Sequence, residues 1–153
     1  MKAATGAVAR VDDRVPVARA GFPRRTPAAL LDAAWQGILE AESAAMPAER
    51  YALAHLSALR CAAAVLAARA RPGSARRGPT SAWALLAAVA PEMGEWATFF
   101  AAGATKRAAA VAGLPHAVSE READDLMRDA QRFFSLVESG LGASRSLSAA
   151  AHG

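Results

Sequence analysis

The run PAERYALAHLSALRCAAAVLAARAR, from Pro47 to Arg71, constrains this chain more than any other stretch: it holds helix-forming residues without a break and is apolar almost all the way round. Ala, Leu and Arg are strong helix formers, and no Gly or further Pro follows Pro47 until Pro72. Pro47 itself suits a first helical turn, where its missing N–H would have no partner anyway. A surface helix would carry one apolar stripe, but here Tyr51, Ala58, Ala62 and Val65 line one face while Leu56, Leu59, Ala63 and Leu66 line another. Such a helix needs several neighbours to cover it, so it is expected at the centre of a bundle. His55, Ser57 and Arg60 are its polar interruptions.

The rest of the chain supplies those neighbours. Thr26 as N-cap and Pro27 at the first helical position open a helix expected to reach about Ala45, with Leu30, Leu31, Ala34, Trp35, Ile38 and Ala41 as its apolar stripe. The short step at Met46 and Pro47 makes it an antiparallel neighbour of the central helix. Thr80 or Ser81 can cap a short helix through Val89, and Pro91 then kinks it or starts another that runs to about Gly113. On that helix Trp96, Phe99, Phe100 and Gly103 are expected on the buried side, and Lys106 and Arg107 complement the dipole near its far end. Gly113, Leu114 and Pro115 stop it. Ser119 and Glu122 form a capping box for the last helix, whose inward stripe is Ala123, Leu126, Met127, Ala130, Phe133, Phe134 and Val137. Gly140 is the expected stop, and Asp124 with Arg128 is an expected exposed pair worth about 0.3 kcal/mol.

At 153 residues the chain fits one domain with a core. Hydrophobic residues make up 54% and aromatics only 6%, so Ala fills the interior and the helices must approach closely. No strand-like alternation occurs, and no Asn-Gly or Asp-Gly pair joins two apolar runs. The expected fold class is all-α: an up-and-down bundle of four or five helices over residues 26–141, flanked by a disordered basic arm (1–25) and a disordered tail (142–153).

The net charge of +4 is unevenly spread. Residues 1–25 hold six bases against two acids, and residues 69–77 hold four arginines and no acid, so the remainder sums to −4. Base concentrated in an arm and a loop permits weak, non-specific contact with nucleic acid through those two segments, and is poorer support for specific recognition than a basic stripe on a helix. The single cysteine, Cys61, excludes an internal disulfide and a Cys-rich zinc site, and reads as a small buried apolar residue. No signal-length apolar run opens the chain and no uncharged run reaches membrane length, so a cytoplasmic location without membrane contact is expected. The Ala and Arg bias is typical of GC-rich genomes, as in actinobacteria.

Chemistry-bearing motifs are few. His55, His116 and His152 have no metal-ligand spacing and no Gly-rich loop fits a nucleotide, so no metal or cofactor is expected. The segments AERYALAHLSALRCAAAVLAARARP, SAWALLAAVAPEMGEWATFFAAGATKRAAA and EREADDLMRDAQRFFSLVE together resemble the HEPN superfamily of small helical bundles, in a small stand-alone actinobacterial branch, over Pro27 to Leu141. The resemblance implies a bundle that dimerises and, in active members, an Arg, four to six residues, then His motif near the start of a late helix that cleaves RNA without metal. It also implies a setting in DNA repair or stress.

Here the late helix has Arg121, Arg128 and Arg132 but no histidine. One match to the spacing exists, Arg50 and His55, on the central helix. Five residues turn a helix through about 500°, leaving the two side chains about 140° apart, so only a second subunit could complete such a site. His55 would then act as general acid or base and Arg50 would stabilise phosphate charge; the plainer and favoured reading is a hydrogen-bonded or interface histidine and a surface arginine at the helix N-terminus.

The expected function is therefore a non-catalytic homodimeric module that binds a protein or nucleic-acid partner. The alternatives are an endoribonuclease using Arg50 and His55 across a dimer, and a small-ligand bundle with a cleft near the tryptophans. Arg60, on a nearly apolar helix, should meet an acid (Glu40, Glu42, Glu92 or Glu95) if buried. Trp83 and Trp96 are the weak candidates, with Arg60, for a binding surface, although core packing or a dimer surface is the plainer account.

Overall fold

The computed structural model describes residues 25–69 and 81–151, with side chains described as far as Gly142. Five α-helices occupy these residues: α1 (Pro27–Ser43), α2 (Pro47–Arg69), α3 (Ala82–Val89), α4 (Gly94–Val111) and α5 (Glu120–Ala151), with a single 3₁₀ turn at Pro91–Met93 before α4. The expected arm lies outside the described residues from Met1 to Arg24, as does the 69–77 loop from Ala70 onward.

Local signals in the sequence set most helix ends. The Thr26 hydroxyl accepts from the Ala29 amide at 3.0 Å and the Ser81 hydroxyl accepts from the Ala84 amide at 3.1 Å, each taking up an orphan N–H of a first turn. The capping box closes at both ends: Ser119 N–H donates to Glu122 Oε1 at 3.0 Å, and Glu122 N–H donates to Ser119 Oγ at 3.1 Å. Gly113, at φ 74°, supplies the left-handed residue that ends α4.

Gly140 does not act that way. Positive φ is found among the described glycines at Gly113 and not at Gly140, and α5 runs on to Ala151, so the stop and the start of a tail expected there are replaced by continuous helix. A glycine ends a helix only where the chain turns left-handed; left in α-helical geometry it merely weakens it.

α2 is the central helix. α1, α3, α4 and α5 all pack against it, α1 also meets α5, and α3 meets α4. Its buried face is broad, comprising Tyr51, Ala54, His55, Ser57, Ala58, Cys61, Ala62, Ala64 and Val65. Coverage is not complete, because Leu56, Leu59, Ala63 and Leu66 are only half-buried. By length and composition α2 would suffice to cross a membrane, with a mean hydropathy of 1.5, and half of that stretch is buried inside the bundle.

Small residues let the helices close on α2. A Cβ added at Gly37 of α1 would lie 2.3 Å from Ser57 Oγ, and one added at Gly103 of α4 would lie 2.8 Å from the Tyr51 hydroxyl and 3.4 Å from His55 Cδ2. Each glycine is thus a notch that receives a polar side chain of α2. Opposite the alanines, the bulk of the core comes from an aromatic cluster: Trp83 stacks on Phe100 with centroids 5.2 Å apart, Phe100 and Phe133 are 5.3 Å apart, and Trp96 lies 5.5 Å from Phe133. Each of the fully buried phenylalanines is worth about 2–3 kcal/mol in transfer free energy.

Candidate functional site

The polar residues of α2 fan outward to three different neighbours. His55 is fully buried, and its Nε2 donates to the Phe100 carbonyl of α4 at 2.8 Å, since a carbonyl only accepts. Its ring lies parallel to Tyr51 and edge-on to Trp83 and Phe100. Arg50, one turn and a half earlier, points elsewhere. Its Nη1 meets Asp124 Oδ1 of α5 at 2.7 Å, and its Nη2 donates to the Ala44 carbonyl at the end of α1 at 2.9 Å.

Arg50 is half-buried, so it is a clamp joining α1, α2 and α5 rather than a plain surface residue. It also takes Asp124 away from the expected pairing with Arg128, which instead reaches Asp125 one turn back. The spacing of i and i+4 allowed the first pair, but a partner on another helix outcompeted it.

Arg60 is half-buried and donates from Nη1 to the Ala33 carbonyl of α1 at 3.4 Å. No carboxylate of the described residues lies in ion-pair range of it; an acid partner is expected for a buried guanidinium, and Arg60 is only partly buried. Trp83 belongs to the core at 2% exposure, while Trp96 is half-buried over Phe100 and Phe133. Phe99, expected inside, is 44% exposed. Trp35 is likewise exposed at 43%, with one side of its ring against Phe134 at 5.3 Å. Arg107 is nearly buried, and α4 carries no base in its last turn, so the dipole role expected for Lys106 and Arg107 is not what positions them.

Lys106 instead reaches across to Glu122 of α5. That ion pair stands over an open groove of about 510 Å³ between α4 and α5, with Tyr51, Phe99 and Leu126 as its less polar lining. Asp125, Arg128, Asp129 and Arg132 line the α5 side. Glu122 is held at about 2 by its bonds from Lys106 and the Ser119 amide, well below its usual 4.5. The Tyr51 phenol is raised, by burial first and by the Glu122 charge second. The capping box revealed Glu122 as a helix starter, whereas its bridge to Lys106 depends on how α4 and α5 cross and left no trace in local spacing.

Among the described residues no group of three His, Cys, Asp or Glu side chains is placed to hold a metal ion. The polar side chains of α2 thus contribute a buried histidine tied to main chain and an arginine clamp beside an aromatic core. The chain matches the SAV_6107-like HEPN family over residues 41–138. It is a HEPN domain. The match takes in α2, α3, α4 and most of α5, which are the helices that build the His55 and Arg50 connections. No curated protein and no solved structure matches the chain significantly.

Proposed function

We propose that this HEPN domain is a non-catalytic helical module that works as a homodimer and binds a protein or nucleic-acid partner. The observation that carries this reading is the placement of His55. An RNA-cleaving histidine must reach a ribose hydroxyl or a leaving oxygen within hydrogen-bond distance. His55 has no exposed surface and spends its Nε2 proton on the Phe100 carbonyl, while Arg50 is engaged by Asp124 and Ala44 on another side of α2. The imidazole is covered by Trp83 of α3 and by Phe100 and Gly103 of α4.

The test is RNA degradation by the purified chain in chelator, alongside His55→Asn and Arg50→Lys, with sedimentation to measure the oligomeric state. The expected result is no cleavage by any of the three and a dimer at micromolar concentration. Cleavage by the wild-type chain that both substitutions abolish, with helicity unchanged, would overturn the reading in favour of a nuclease assembled across a dimer.

A further inference from the structure

One stripe of α5 faces outward from Arg121 to Leu136. Arg121, Asp125, Arg128, Arg132 and Leu136 recur every three or four residues and are all exposed, and Asp129 stands beside them half-buried. At the helical repeat the six side chains share an arc of about 100°. The stripe borders the open groove between α4 and α5, which Phe99, 44% exposed, lines from the α4 side. Leu136, 43% exposed, leaves a second apolar side chain in water at the stripe's end.

The order of charges on this stripe is complementary to itself. Set a second copy antiparallel, about a two-fold axis passing between Arg128 and Asp129. Asp125 then stands opposite the partner's Arg132, and Arg128 opposite the partner's Asp129. The symmetry repeats both contacts, so acid meets base at every charged crossing. Arg121 lays its methylene stem against the partner's Leu136. Other arrangements forfeit this match. Parallel and in register, Asp125 meets its own copy and Arg128 does too, and sliding the partner one turn toward the start of α5 sets Arg121 against Arg132.

Within one copy Arg121 and Arg128 reach Asp125, and Arg132 reaches Asp129. A guanidinium carries more donors and a carboxylate more acceptor sites than one such pair uses. Contacts across the axis therefore extend these pairs into a network, the setting in which surface ion pairs contribute most. The exposed face of α1 offers no such match, because it carries Asp32, Glu40 and Glu42 with neither Lys nor Arg, and two copies would repel there.

Resting on the homodimer reading above, we propose that the second copy docks along this stripe of α5, antiparallel about an axis between Arg128 and Asp129, and covers the groove between α4 and α5.

The experiment is sedimentation velocity on the full chain over a range of micromolar concentrations. It compares wild type, Arg128→Asp with Arg132→Asp, and Asp125→Arg with Asp129→Arg, with circular dichroism to follow helicity. Each double variant alone sets like charge against like at every crossing, and its dimer dissociation constant should rise about tenfold or more. An equimolar mixture of the two sets acid against base again, and should restore a dimer to within a few-fold of wild type. Where a double variant loses helicity, the single Arg132→Asp and Asp125→Arg chains carry the same test. A wild-type dimer that neither variant weakens would overturn the proposal and leave the homodimer reading standing, and so would weakening that mixing does not repair. A wild-type chain that stays monomeric would overturn both.

Discussion

Replacing Gly37 with Ala tests the close approach of α1 to α2. On an isolated helix the change is favourable by up to about 1 kcal/mol. Here the new methyl would lie 2.3 Å from Ser57 Oγ, more than 1 Å inside an ordinary contact of about 3.6 Å. Ser57 is fully buried and its hydroxyl donates to the Leu53 carbonyl at 3.0 Å, so rotating it away sacrifices a hydrogen bond worth about 1 kcal/mol. Spreading the helices instead costs about 1–3 kcal/mol in lost packing.

The net expectation for Gly37→Ala is a loss of about 1–2 kcal/mol, or roughly 5 °C in Tm for a chain of this size. Ser57→Ala removes the obstructing oxygen and leaves Arg60 Nη1, the end of a flexible side chain, at 3.3 Å and the Ser57 Cβ position at 3.6 Å. In that background Gly37→Ala should be neutral or stabilising, giving a coupling of about 2 kcal/mol between the two sites. Urea unfolding followed by circular dichroism on the four chains measures it. Additive effects, or a stabilised Gly37→Ala single variant, would refute the claim that this notch sets the distance between α1 and α2.

Other expectations follow from the helix ends and the buried thiol. Gly140→Ala should stabilise α5 by up to about 1 kcal/mol, since the residue is helical and open space surrounds its missing Cβ; thermal unfolding checks the sign, and destabilisation would mean the position needs glycine. Glu122 has a folded-state value depressed to about 2 from 4.5, so its contribution is fully present above pH 4.5 and is lost as pH falls toward 2. Glu122→Gln should therefore weaken the chain near neutral pH and flatten its acid unfolding profile in that window, and an unchanged profile would refute the role given to the Lys106 pair. Cys61 should resist a thiol-reactive dye in the folded chain at neutral pH and react fully in denaturant; fast labelling without unfolding would contradict its burial.

The bundle was legible in the sequence because helix signals are local. Thr26, Ser81, the Ser119 and Glu122 box and Gly113 each act within a turn of themselves, and the apolar stripe of α5 is buried as its spacing implies. Misreadings arose where a residue answers to another helix. Arg50 chose Asp124 over solvent, Arg128 was left to Asp125, and Lys106 crossed to Glu122, none of which spacing along one helix can disclose. Phe99 and Trp35 belong to the apolar stripes their spacing implies, yet they are 44% and 43% exposed, because they sit at the edge of the surface that the neighbouring helices cover. The candidate site was legible only as a divergence: the helical turn between Arg50 and His55 separates them, and the partners each one has found are the reason they stay apart.

The bond from His55 to the Phe100 carbonyl fastens α4 by its main chain, at a place Gly103 leaves open. An attachment of that kind is indifferent to what the outward side chains of α4 are. Phe99 and Ala102, both exposed, can be exchanged over many generations while the helix stays moored in one position on the frame. A lineage built on this arrangement has a surface free to acquire new specificities, with little cost to the body that carries it.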